Sequence, residues 1–91
     1  FGNFQFVGTC GSFPEQYDVF YAPTGWLCGY VRLRGGRLLC SYPEVGGKVI
    51  YYHDFGSYYG SFQTEEDRQY HLEKIAEVLK MFLEGVSYEY S

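Results

Sequence analysis

Long apolar runs are missing from this chain of 91 residues. Nothing approaches the ~20 consecutive apolar residues of a membrane-spanning helix, and the first residues show no basic-then-apolar leader. No membrane partner is expected. Basic residues are scarce too: seven Lys and Arg stand against eleven Asp and Glu, a formal net charge of -4. A protein that grips duplex nucleic acid normally turns a basic face to the phosphates, so duplex nucleic acid is not an expected partner either. Cysteine is limited to Cys10, Cys28 and Cys40, an odd number at wide spacings without a C-x-x-C pair. That pattern fits neither a disulfide framework nor a zinc ribbon. Reduced thiols in a cytoplasmic protein are the expectation, with no metal and no cofactor.

Aromatic residues, by contrast, are abundant. Eleven tyrosines, eight phenylalanines and one tryptophan bring the aromatic share to 22%. A tyrosine ring is apolar while its hydroxyl needs a partner, which suits surfaces where one end stays wet, such as interfaces. Aromatics also favour strands for reasons unrelated to binding.

The order of residues predicts an α+β domain over 1–91, an antiparallel meander of four or five strands with one C-terminal helix packed on one face. A Phe/Gly-rich leading segment occupies 1–14, with "NFQFV" as a short strand. The meander follows over 15–63: "EQYDVFY", the turn "APTG", "WLCGYVRLR", a Gly35-Gly36 corner, "RLLCSY", the loop "PEVGG", and "KVIYYHD". "FGSYYGSF" is irregular or a short edge strand. The helix takes 64–85, with Thr64 as N-cap and Glu65, Glu66 and Asp67 in the first turn, where the helix dipole favours anions. Leu72, Ile75, Ala76, Leu79, Phe82 and Leu83 recur at intervals of 3 and 4 as one apolar stripe, and Gly85 suits the C-terminal cap. Residues 86–91 form a polar-aromatic tail.

Two glycines between strand-like runs signal a two-residue hairpin, because both turn positions accept positive φ. The register follows: Arg34 faces Arg37, Leu33 faces Leu38, Arg32 faces Leu39, and Val31 faces Cys40. Side chains alternate along strands, so Gly29, Val31, Leu33, Leu38, Cys40 and Tyr42 share the face that suits the helix, with Gly29 leaving room for close approach. Tyr30, Arg32, Arg34, Arg37, Leu39 and Ser41 share the other. Setting Tyr21 opposite Trp26 adds Tyr17, Val19, Tyr21, Trp26 and Cys28 to that outer face. A sheet covered on one side usually shows a polar outer face; this one combines four aromatics with three arginines. The leading segment, a second copy or a partner is expected to cover it.

Guanidinium groups beside aromatic rings make a good anion clamp. The same arginines would also protect an edge and keep it soluble, their stems lying over rings. Like charges facing each other across a hairpin repel, which favours an anionic partner. His53-Asp54 and the cysteines invite a nucleophile reading, but no family signature surrounds them and buried free Cys is common packing. Cys28 and Cys40 fall on opposite faces in this register, which speaks against a zinc site with His53. His71 is expected at the surface. "EVGGKV" lacks the Lys-Ser/Thr ending of a phosphate loop and precedes a strand, so Gly46 and Gly47 are turn residues.

At "EQYDVF", "GYVRLRGGRL" and "YPEVGG", followed by an acidic-start helix, the chain resembles small uncharacterised proteins of phages and prophages over about residues 14 to 84. The resemblance implies a small accessory protein of a mobile element, acting in the host cytoplasm. Some such proteins block host defence by occupying a protein or by sequestering a signalling nucleotide. No functional residue carries over. The expectation is a non-catalytic binding protein whose aromatic and arginine face holds a host or self protein, with Tyr17, Tyr21, Trp26, Tyr30, Arg32, Arg34 and Arg37 as binding residues. A homodimer through that face would bury the excess aromatics. The alternative is a sponge for an anionic small ligand, a nucleotide or cyclic nucleotide; a cysteine-dependent enzyme comes third.

Overall fold

The computed structural model describes residues 1–9, 15–44, 46–56 and 61–83. Five strands, β1 (Phe4–Gly8), β2 (Glu15–Tyr21), β3 (Trp26–Arg34), β4 (Arg37–Tyr42) and β5 (Lys48–Asp54), precede one helix, α1 (Glu65–Leu83). The strands pair antiparallel in sequence order, a meander with β1 and β5 at its edges. The helix packs on one face of the sheet, giving the α+β architecture expected. Gly85 and the tail lie outside the described residues, as does the middle of "FGSYYGSF".

Local chemistry accounts for the turns. Gly35 and Gly36 have φ of 60° and 76°, left-handed values at both central positions that match the twist of a type I′ hairpin. The β3–β4 register is the one expected, from Arg34↔Arg37 through Val31↔Cys40. In the β2–β3 turn the N–H groups of Thr24 and Gly25 both donate to the Tyr21 carbonyl, at 3.1 and 2.7 Å, and Gly25 takes a φ of 77°. Thr64 caps α1, its Oγ1 accepting from the Asp67 N–H at 3.0 Å. That bond satisfies one of the donors a helix start leaves free.

The core lies between sheet and helix. Val19, Val31, Leu33, Leu38 and Cys40 of the sheet are fully buried against Ile75 and Leu79 of the helix. Each large apolar side chain so placed contributes about 1.5–3 kcal/mol relative to exposure. Leu72 and Ala76 continue the helical stripe and Leu83 packs partly against it, but Phe82, expected in the stripe, is exposed at the end of the helix. At Gly29 an added Cβ would meet Leu79 at 3.5 Å, ordinary contact, so the close approach expected there leaves space for a methyl group.

One feature of β3 overturns part of the expected face assignment. Tyr21 does face Trp26, and Phe20 faces Leu27, but Val19 then faces Gly29. Cys28 is therefore an extra residue, a β-bulge, and strand alternation breaks there. Beyond it Tyr17 faces Val31 instead of Tyr30. Tyr17, Val19 and Tyr21 consequently lie on the helix side: Val19 is fully buried, and both tyrosines pack against the core. Cys28, 4% exposed, is in that core as well, on the same side as Cys40 and not opposite it. A second bulge leaves Ile50 unmatched, with Cys40 facing Tyr51 and Ser41 facing Val49.

The described residues of the N-terminal segment, 1–9, do not cover the outer face. They supply edge strand β1 beside β2, with Phe4 facing Tyr21 and Phe6 facing Val19, and Phe4 is buried in the core.

Candidate arginine face

The two bulges leave an outer face with a defined order. Nearest the diglycine corner, Arg34 and Arg37 face each other, and Asp54 lies beside Arg37 on β5. The next row across the sheet is Gln16, Arg32, Leu39 and Tyr52. Asp18, Tyr30, Ser41 and Val49 follow, and Phe20 pairs with Leu27 farther on. The face is cationic at one end and apolar at the other. Among the described residues no element packs over it, and Tyr52, Val49 and Leu27 are exposed.

Arg32, Arg34 and Arg37 come together with Gly35, Leu39 and Tyr52 around an open depression of about 430 Å³. Asp54 is the acidic group nearest the arginines, directly opposite Arg37. Asp54 accepts the Gly56 N–H through Oδ1 at 2.8 Å, and the Gln16 Oε1 accepts the Tyr30 hydroxyl at 2.7 Å. The ion pairs among the described residues are Arg68–Glu15, Arg68–Glu65 and Lys74–Glu77. None of the three outer-face arginines is in one.

Of the seven residues expected to bind, Tyr30, Arg32, Arg34 and Arg37 thus share one surface. Tyr17, Tyr21 and Trp26 do not join them, because the bulge at Cys28 turns them to the helix side. Tyr17 gives its hydroxyl to Glu15. Trp26 sits at the other end of the sheet, 74% exposed, where it lines a cavity of about 350 Å³ with Tyr21, Cys28, Tyr42 and Leu83. Tyr52 is the outer-face residue that sequence reasoning missed. Its alternation with Tyr51 marks it as a strand residue on one face, but which face depends on the β4–β5 bulge.

The chemistry on the helix side is structural. Burial by itself would raise the Glu15 carboxyl, yet hydrogen bonds from Arg68, Tyr17 and the Phe62 N–H outweigh it and hold the group below its ordinary range. Tyr17, buried and tied to Glu15, is pushed up to about 12.

His71 is 5% exposed, not at the surface as expected. Its Nδ1 lies 2.9 Å from the Tyr51 hydroxyl, and its ring lies 4.6 Å from that of His53 and 5.1 Å from that of Phe55. Burial, with a smaller contribution from His53, lowers its pKa. The signal for this burial was in the sequence: His71 precedes Ile75 by one helical turn and adjoins Leu72, so it falls within the apolar stripe.

Burial also pushes the Cys28 thiol up to about 11 and the Cys40 thiol to about 12, which keeps both protonated and poor nucleophiles. Cys10 lies outside the described residues. No group of three metal-ligating side chains occurs among the described residues, and no helix among them is long and apolar enough to cross a membrane.

No family model, no curated protein and no solved structure matches this chain.

Proposed function

We propose that this protein is a small non-catalytic binding protein that docks on an acidic partner protein through the outer face of its sheet. One observation carries the reading: three guanidinium groups stand together on an uncovered face, and none of them is in an ion pair among the described residues although Asp54 is opposite Arg37. Like charges directly opposite across a hairpin are destabilising, so Arg34 and Arg37 are an arrangement that an anionic partner improves. The apolar end, with Leu27 and Val49 exposed, and Tyr52 beside the arginines supply the contact area that charges alone do not. Tyr and Arg are the residue types that dominate interface energetics. On the resemblance to phage and prophage proteins, the partner would be a host protein, or a second copy of the chain, in the host cytoplasm, and the activity that of an inhibitor or accessory factor.

A second reading, a nucleotide or cyclic-nucleotide sponge, is favoured by Tyr52, whose ring flanks the arginines where a base would stack. Small-ligand sites typically bury 70–90% of their ligand, however, and the depression beside Tyr52 is open. A broad partner fits it better.

Affinity capture from a host lysate with the wild type and with Arg32→Ala/Arg34→Ala/Arg37→Ala tests the proposal. Retention of an acidic host protein by the wild type alone is expected. Equal capture by both forms would overturn the reading. Thermal stabilisation by a nucleotide, with no protein captured, would establish the sponge. A dimer that sediments as a monomer in the triple variant would make a second copy the partner.

A further inference from the structure

We infer that the anionic feature recognised by the arginine face is a phosphate monoester on a side chain of the partner. The inference rests on the docking reading above and narrows it to one chemistry.

The spacing of the three cations comes first. Arg34 and Arg37 are directly opposite, a placement that puts Cβ atoms about 4.5–5.5 Å apart. Arg32 is two residues along the same strand and on the same face, about 7 Å away. Three positive charges therefore start from a footprint a single small anion can span with their long side chains. A carboxylate brings one charge and two coplanar oxygens, which one guanidinium fork satisfies. Asp54 opposite Arg37 offsets part of one more charge, and the remaining positive charge would stay uncompensated. A phosphate monoester brings a charge of about -1.5 to -2 and three acceptor oxygens, enough to engage two or three guanidinium forks at one point.

The surroundings decide the source of the phosphate. The net charge of -4 repels an extended polyanion such as a nucleic-acid backbone or an anionic membrane, whereas one compact dianion feels chiefly the local arginines. A free nucleotide would leave most of its base in water above the open depression. A phosphorylated side chain gains the rest of its affinity from neighbouring residues of its own protein. Leu39, half-buried between Arg32 and Tyr52, and the exposed ring of Tyr52 form the apolar floor on which those neighbours rest.

The test uses the full ¹⁵N-labelled chain and degenerate peptides with one central phosphoserine, phosphothreonine or phosphotyrosine. Matching peptides carry Glu or the unmodified residue, and AMP and inorganic phosphate are separate probes. Phosphorylated peptides should bind at least about tenfold more tightly than the Glu forms, a difference of about 1.4 kcal/mol. They should also move the amide resonances of Arg32, Leu39 and Tyr52. Arg32→Lys/Arg34→Lys/Arg37→Lys keeps the charge but not the forked donors, and should lose at least about tenfold in affinity while its spectrum stays folded.

Equal binding of Glu peptides would overturn the phosphate assignment and leave the acidic-partner reading standing. AMP binding as tightly as the peptides would overturn the side-chain source. If no probe shifts the outer face, the inference fails. Arginine-dependent capture of a host protein in the same preparation would then show that the docking reading had survived it.

Discussion

The contact that ties the start of β2 to the helix offers the sharpest test of the packing argument. Arg68 donates to Glu15 twice, from Nε at 2.7 Å and from Nη2 at 3.2 Å. Changing Arg68 to Met leaves a carboxylate whose side chain is 12% exposed with only the Tyr17 hydroxyl and the Phe62 N–H as partners. Hydrogen bonds to charged groups contribute about 1.5–3 kcal/mol each. The Arg68 side chain is 31% exposed, so water replaces part of the loss and the total falls to about 2 kcal/mol.

In a domain of this size that corresponds to a Tm lower by roughly 10 °C. Glu15→Gln keeps an acceptor but removes the charge, and should cost about 1 kcal/mol. The double variant should be less destabilised than the two single effects added, by about 1 kcal/mol. Urea titrations followed by far-UV circular dichroism are the assay, since Trp26 is 74% exposed and its fluorescence reports folding poorly. The pH dependence gives a second check. Glu15 is held below its ordinary value, so its stabilisation is complete above about pH 4.5 and is lost as pH falls through the folded value. The Glu15→Gln protein should lack that acid step. A coupling below about 0.3 kcal/mol at pH 7 would place the pair among surface contacts of no consequence and refute the reasoning.

Other outcomes follow from the same geometry. His71 is neutral when buried and its pKa is lowered, so the unfolded chain takes up the proton first. Stability should therefore be level above about pH 7.5, fall as pH drops through about 6.5, and flatten below the folded value; urea midpoints of His71→Phe should not change across that window. Gly47→Ala brings a Cβ to 2.4 Å from the Tyr42 carbonyl oxygen and should destabilise by at least about 2 kcal/mol. Gly29→Ala makes only ordinary contact with Leu79 and should stay within about 1 kcal/mol of the wild type, as thermal melts of both would show. At pH 8, peptide mapping after iodoacetamide should find Cys28 and Cys40 unlabelled in native protein and labelled in urea, because both thiols are buried and raised to about 11 and 12. Rapid native labelling of either would reopen the nucleophile reading.

Features governed by neighbours in the chain were legible from the sequence alone. Two adjacent glycines with positive φ set the β3–β4 register, and that register placed Tyr30 and the three arginines on the outer face. Thr64 and the acidic first turn located the helix start, and the periodic stripe named Leu72, Ile75, Ala76 and Leu79 as its buried side. Each depends on backbone preferences within a turn or two, or on a periodicity that a single element imposes on itself.

Tertiary structure decided the rest. Whether Cys28 bulges out of the ladder depends on how all of β2 fits against β3 and under Leu79, and no local motif encodes that choice. The single extra residue moved Tyr17, Tyr21 and Trp26 away from the arginines. The bulge in β5 likewise brought Tyr52 to them. Alternation has a period of two, so one unmatched residue reverses the face of everything beyond it. The sequence therefore determined the strands, the helix and the arginine corner, while the packing of whole strands chose the aromatic that stands beside it.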